Sequence, residues 1–247
     1  GSARSRQTRP MIIRSLFVPL VGVALLFGST AMAAAAKTPT AFTATYRVTQ
    51  GGMPLGDAKV TLRPAGDGEW VYSKSIKGSG GMAALLAANL EESSRFRWKG
   101  VAPEAVSYDY QLTSAIKSKQ RHLRVDWAKK QVSVDEGKGA NTYPAAPGMV
   151  ERNTLALAIG MALRDGGKTL ALPVAVKQQV ETQNFKVTGK ETIKVPAGSF
   201  DAERVERTDA DRGFSAWYVP DRYPLPVKLS QHDGGNVEME LLSYRAD

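Results

Sequence analysis

Apolar and polar residues alternate through most of this chain. That period of two is the signature of extended strands, whose successive side chains point to opposite faces. In AFTATYRVT, Phe42, Ala44, Tyr46 and Val48 share one face, and Thr43, Thr45, Arg47 and Thr49 the other. VSYDYQL sets Val106, Tyr108, Tyr110 and Leu112 against Ser107, Asp109 and Gln111. HLRVDW sets Leu123, Val125 and Trp127 against His122, Arg124 and Asp126, and VEMELL sets Val237, Met239 and Leu241 against Glu238 and Glu240. Threonine, valine and aromatic residues fill these runs, as a pleated, half-buried surface favours. Glycine-rich turns such as QGGMPLG, RPAGDGE, DEGKG and HDGGN separate them at short intervals. In VPAGSF, Pro196 suits the second position of a type I turn, and Gly198 a left-handed position after it.

One segment departs from the period. ERNTLALAIGMALRDGG places Leu155, Ile159, Ala162 and Leu163 on one helical stripe, and Asp165-Gly166-Gly167 ends it. This helix is expected to lay its stripe over one end of the sheet. The chain shows no internal repeat and no Pro/Ser-rich linker, and roughly ten to twelve antiparallel strands curl or close to limit exposed edges. The expected fold is therefore all-β: a strongly curved antiparallel sheet or barrel-like domain over 34–247, with one packed α-helix at about 150–165. KSKQRHLR (117–124), the densest basic stretch, reads as a solvated edge strand.

The N-terminal region points to export. From Met11 an arginine precedes an apolar run from Leu16 to Phe27, then Ala31-Met32-Ala33, the pattern of a cleavable signal peptide over 11–33. A membrane span needs ~20 apolar residues, more than this run holds. Residues 1–10 precede the start methionine and read as an upstream remnant. Without Arg4, Arg6, Arg9 and Arg14 the net charge falls from +9 to +5, spread along the chain with no basic cluster of the kind nucleic acids need. Cysteine is absent, which excludes thiol chemistry, disulfides and a lipid-modified N-terminus. The expectation is a periplasmic monomer held together by its core, with no stable transmembrane segment after processing and no nucleic-acid partner.

KGSGGMAALLAANL raises one alternative. Gly78, Gly80 and Ala83 match a dinucleotide-binding G-x-G-x-x-A after a strand. That motif works inside a βαβ unit, with an acidic residue about twenty positions on, at the end of a second parallel strand. No alternating strand–helix series follows here, and Glu104 begins a strand after Pro103. The preferred reading is a loop, Gly78, Gly80 and Gly81, leading into a short apolar helix from Met82 to Leu90. Leu85, Leu86 and Leu90 would then cap the sheet, either as plain packing or as a gate.

Catalytic signatures are sparse. G-x-S-x-G is missing, and the two histidines, His122 beside Asp126 on a polar face and His232 in a turn, lack metal-ligand spacing. No catalytic residue, metal or cofactor is assigned. The strand aromatics Tyr108, Tyr110, Trp127, Trp217 and Tyr218 pair an apolar body with a polar handle and are candidates to line a pocket; plain core is the simpler role. Arg152 and Asn153, near the helix N-terminus, are candidates to hold an anionic head, or else to cap and solvate.

In the C-terminal half, ETIKVPAGSFDAERVER, FSAWYVPDRYPLPVKLS and VEMELLSYR resemble the DUF3108 family of exported bacterial proteins. The likeness rests on Pro196-Ala197-Gly198 with Phe200, Trp217-Tyr218 before Pro220-Asp221, and Leu225-Pro226-Val227. VSYDYQL, RVDWAKKQV and the helix segment are similar in kind, so the resemblance spans most of the chain. It implies a curved β-sheet or barrel in the cell envelope and carries over no catalytic residue. The function expected is binding of an apolar or amphiphilic envelope molecule, a lipid or a glycan. The alternative is a carboxylate-dependent enzyme or scaffold acting on envelope polysaccharide or peptidoglycan.

Overall fold

A computed structural model describes residues 38–81, 87–210, 213–232 and 236–247. The signal-peptide segment, together with Leu85 and Leu86, lies outside the described residues. Eight strands come first: β1 (Phe42–Gln50), β2 (Met53–Gly66), β3 (Glu69–Gly78), β4 (Asn89–Lys99), β5 (Ala102–Thr113), β6 (Ser118–Asp126), β7 (Gln131–Asp135) and β8 (Ala140–Pro144). A short β9 (Val150–Glu151) and the helix α1 (Leu155–Arg164) follow. The chain then continues through β10 (Thr169–Ala175), β11 (Val180–Val195), β12 (Gly198–Arg207), β13 (Phe214–Tyr218), β14 (Lys228–Gln231) and β15 (Val237–Ala246).

All fifteen strands form one sheet in the order β8-β7-β6-β5-β4-β3-β2-β1-β15-β14-β13-β12-β11-β10-β9. The chain walks outward from β1 to β8, crosses through β9 and α1, and walks back until β15 pairs with β1. The expected curved, barrel-like all-β fold is what forms. It has more strands than the ten to twelve read from the sequence, and β9 pairs with β10 in parallel. Short strands such as β9, β13 and β14 carry too few residues to show a period.

Register shifts at Thr45/Tyr46, Val48/Thr49, Arg95/Phe96 and Val187/Gly189 bend the strands. The curl brings the free ends of the sheet together without a ladder. Ala105 N–H donates to the Met149 carbonyl at 2.9 Å, beside β9. From β8, the Tyr143 hydroxyl donates to the Val176 carbonyl and Asn141 Nδ2 to the Lys177 carbonyl. One backbone bond and two side-chain bonds thus close the seam. β6 lies between β5 and β7, so the basic stretch 117–124 is an interior strand and not an edge.

Local sequence explains the turns. β11 and β12 join through Pro196-Ala197, with Val195 opposite Gly198; Gly198 has φ +144°, an extended conformation of positive hand rather than the compact left-handed one expected. α1 ends in a Schellman motif, Gly166 N–H to the Leu163 carbonyl and Gly167 N–H to that of Ala162, with Gly166 at φ +92°.

The helix is not draped over one end. Leu157, Ala158, Ile159, Gly160, Met161 and Leu163 are all buried, whereas Leu155 and Ala162 of the expected stripe are only half-buried. Leu157 and Met161 join a core with Phe42, Leu62 and Phe96; Ile159 and Leu163 join Phe185 and Tyr218; Ala158 packs with Val150 and Val174. A helix covered on several sides lies within the curve of the sheet and fills that part of the lumen. Among the described residues no helix is long and apolar enough to cross a membrane.

The glycine loop has a packing role. Ser79 N–H donates to the Leu55 carbonyl at 3.1 Å, and a Cβ on Gly80 would stand 2.6 Å from the Pro54 carbonyl oxygen. The expected helix does not reach Leu90, which sits in β4 opposite Ile76 and Leu112. Period two resumes there: Leu90 shares its face with Glu92 and Ser94.

Candidate functional site

In an up-and-down sheet, alternate connections fall at the same end. The β1–β2, β5–β6, β7–β8, β10–β11 and β14–β15 connections therefore share one rim. Contacts across it agree, with Gly51 N–H to the Asn236 carbonyl at 3.2 Å and Lys177 to Glu136 at 3.3 Å. The N-terminal end of α1 faces this rim. At its other end Leu163 and Arg164 meet Pro220 and Asp221 of the β13–β14 connection. Helix and connection fill that half of the lumen and leave the rim half hollow.

The hollow has two adjoining lobes of about 360 and 350 Å³, and Arg152, Leu155, Phe214 and Gln231 line both. Each is within the size range of small-molecule sites. The first lobe is polar at its wall, where Arg121, Arg152, Arg207 and Gln183 face Val174 and Phe185. The other is walled mainly by apolar side chains from β1–β4, β14 and β15, including Val48, Val60, Ile76, Leu229 and Met239. Polar contact there comes from Lys74, Glu92 and Asn153.

Between the lobes is a buried polar network. Glu92, only 4% exposed, accepts the Tyr108 hydroxyl at 2.6 Å and pairs with Lys74 Nζ at 3.0 Å. Burial pushes its carboxyl up, but Lys74, the Tyr108 hydrogen bond and Arg152 outweigh this and leave it below the usual range. Glu151, 1% exposed, accepts the Thr154 backbone N–H at 2.8 Å, Thr154 Oγ1 at 2.9 Å and Ser94 Oγ at 3.1 Å. Burial, reinforced by the charge of Glu92, pushes its carboxyl up to about 7 against those hydrogen bonds. Asn153 Nδ2 donates to Ser94 Oγ at 2.8 Å and to the Tyr72 carbonyl at 3.2 Å.

These shifts have a consequence for pH. The folded Glu151 holds its proton more tightly than the unfolded one does, so its contribution is fully present below about pH 4.5 and lost as pH rises through about 7. Glu151→Gln is expected to remove a fall in stability between those values and to raise the melting temperature above pH 7. Matching slopes for variant and parent in thermal melts across that window would contradict this.

The structure brings Tyr108, Arg152 and Asn153 together at the lobes. Arg152 is exposed, makes no ion pair among the described residues, and lies 5.5 Å over the Tyr110 ring. Tyr110 does not line either lobe but a small side recess, with Tyr108, Lys119, Arg121 and Arg152. Trp127, Trp217 and Tyr218 are not among the residues lining the lobes. Trp127 Nε1 donates to the Ala105 carbonyl, Trp217 Nε1 to Glu191 Oε2 between Arg204 and Lys228, and the buried Tyr218 hydroxyl to the Ala156 carbonyl. Arg152 and Asn153 immediately precede the N-cap of α1, the first exposed and the second buried. Thr154 holds the N-cap position of α1 without a side-chain cap hydrogen bond, and its N–H donates to Glu151, the chain's own anion. His122 pairs with Asp109, not Asp126. Among the described residues no three His, Asp or Glu side chains converge as metal ligands would.

Sequence reasoning missed Lys74, Glu92, Arg121 and Glu151. Glu92 and Ser94 carried a signal, being polar residues in phase with Leu90 and Phe96 on an inward face.

A curved sheet wrapped on a helix, with a hollow at one rim, defines a β-barrel-like protein. Residues 45–242 match the family model described as Protein of unknown function (DUF3108), and the chain belongs to that family. A solved structure similar to it is a β-barrel-like protein of the DUF1849 domain from Brucella abortus, with TM-score 0.51 and 9% identity, over 85% of this chain and 98% of that one. A DUF1089 family protein from Pseudomonas aeruginosa matches at TM-score 0.33 and 10% identity, over 69% of this chain and 87% of that one. A comparison with the curated proteins finds no match.

Proposed function

We propose that the protein is a periplasmic binding protein that holds an amphiphile in its lumen, the apolar chain in the lobe beside β1–β4 and an anionic head at Arg152. The observation that carries this reading is the meeting of an apolar and a basic lobe at one exposed arginine. Arg121 and Arg207 stand behind it on the basic side, each already paired with a carboxylate, Glu136 and Asp209. The signal-like segment at 11–33 supports the compartment. Binding is favoured over carboxylate catalysis because Glu92 and Glu151 are held by Lys74, Tyr108, Ser94 and Thr154, which leaves neither poised toward a substrate.

Displacement of a fluorescent fatty acid tests this directly. Hydrogen bonds to charged groups are worth ~1.5–3 kcal/mol, so Arg152→Ala should weaken a fatty acid roughly tenfold to a hundredfold. The matching fatty alcohol should change little. Equal losses for acid and alcohol would place the head elsewhere, and no displacement by either would refute the lumen as the site.

A further inference from the structure

We propose that this rim of the barrel docks on an anionic lipid bilayer, with Met53 and Ile116 entering the interface and the neighbouring lysines facing the headgroups. The inference goes beyond the lumenal site and does not require it.

Among the described residues the exposed large hydrophobics are Met53, 63% exposed, and Ile116, 78% exposed. Scattered singly, such residues are ordinary. Here both stand on the same rim as the lumen: Met53 just past the β1–β2 turn, Ile116 in the β5–β6 turn. In the strand order these hairpins flank β3 and β4, which puts their tips roughly 20 Å apart at the usual strand spacing. The Ile116 turn is well formed. Ser114 N–H donates to the Lys117 carbonyl at 2.8 Å, and Ser114 Oγ accepts Lys117 N–H at 3.0 Å. The isoleucine is thus held outward without a further ordering cost.

The charge beside these tips has one dominant sign. Lys77, Lys117, Lys119, Lys138 and Lys177 are exposed along this side of the rim. Of the acids among them, Glu136 is engaged by Arg121 and Lys177, the Asp135 carboxylate by the Gly137 N–H at 2.7 Å and Glu91 by the Ser75 hydroxyl at 2.6 Å. The exposed Asp57 stands opposite Lys77 in the β2–β3 ladder, so the lysines outnumber the free carboxylates. Apolar tips set among lysines suit an anionic membrane surface, where a shallow apolar insertion and charge attraction add. A docked rim would also face the lumen toward the bilayer, the source of an amphiphile.

The chain has no cysteine, so one introduced thiol reports one place. Ala115→Cys puts a polarity-sensitive fluorophore on the rim, and Lys129→Cys puts it on the β6–β7 turn at the opposite end. With mixed phosphatidylglycerol–phosphatidylcholine vesicles the rim label is expected to shift to the blue and brighten, and the distal label to stay unchanged. Pure phosphatidylcholine should give little response. Each lysine near an anionic surface is worth about fivefold, so Lys117→Gln with Lys119→Gln should raise the half-maximal lipid concentration roughly thirtyfold. Ile116→Ser should dim the rim response with the circular dichroism spectrum unchanged. Arg152→Ala should keep docking while losing lumenal affinity, which separates failure of one reading from failure of the other. Attachment through the N-terminal apolar segment alone would bring both labels to the bilayer without preference. Equal responses at the two ends, an equal response to pure phosphatidylcholine, or indifference to the lysine changes would overturn the proposal.

Discussion

Gly160→Ala is expected to destabilise the protein by about 3 kcal/mol or more, the upper end of overpacking costs. On an exposed helix the same change would stabilise by ~1 kcal/mol, because alanine loses less backbone freedom. The sign reverses because a Cβ at Gly160 would stand 1.8 Å from the Pro224 carbonyl oxygen and 2.7 Å from its carbon. The obstacle is backbone, so no rotamer change relieves it. Pro224 is itself pinned: it is buried beside Leu225 and Val227 of the core, and Val227 N–H donates to the Trp217 carbonyl at 2.8 Å. Tyr218 Cε1, 3.2 Å from the same point, closes another direction. Denaturant melts of Gly160→Ala against Ala162→Gly, on the half-buried side of the helix, check the reversal. A midpoint for Gly160→Ala at or above the parent's would mean that the Val219–Val227 connection yields.

Glu92→Ala is the second large effect, about 3 kcal/mol, the lower end of the cost of breaking a buried ion pair. Two groups lose their partner at once, the Lys74 ammonium at 3.0 Å and the Tyr108 hydroxyl at 2.6 Å. The lower end applies because the Lys74 side chain keeps 21% of its exposure. Replacing both ions by apolar residues, Glu92→Leu with Lys74→Met, should recover much of the loss, since desolvation of the pair offsets most of its attraction. A double-mutant cycle measures this, and additive single and double changes would mean that the pair is not coupled.

The reach of sequence reasoning differs between these two sites. The alternation that places Phe42, Ala44, Tyr46 and Val48 inward holds residue by residue, because strand period is a property of the local backbone. The end of α1 was equally legible: Asp165-Gly166-Gly167 contains every donor its cap uses. The burial of α1 on several sides left a weaker trace. LALAIGMALR has no polar face before Arg164, a pattern that a single buried stripe of Leu155, Ile159, Ala162 and Leu163 does not account for. Glu92 drew no reading from the sequence because its partners lie on other strands, Lys74 on β3 and Tyr108 on β5.

By itself, then, the sequence determined the longer strands, the places where the chain turns and the end of the helix, since each is set by dihedral preferences and hydrogen bonds within a few residues. It also determined the class of fold, because so many half-buried strands have few ways to cover one face and limit their edges. Only the tertiary structure decided which residues surround the lumen. That depends on how far the sheet curls before Tyr143 meets Val176 and β9 settles beside β5. The curl brings Arg152 over Tyr110 and Glu151 against Ser94, contacts between residues more than forty positions apart. No local period encodes them.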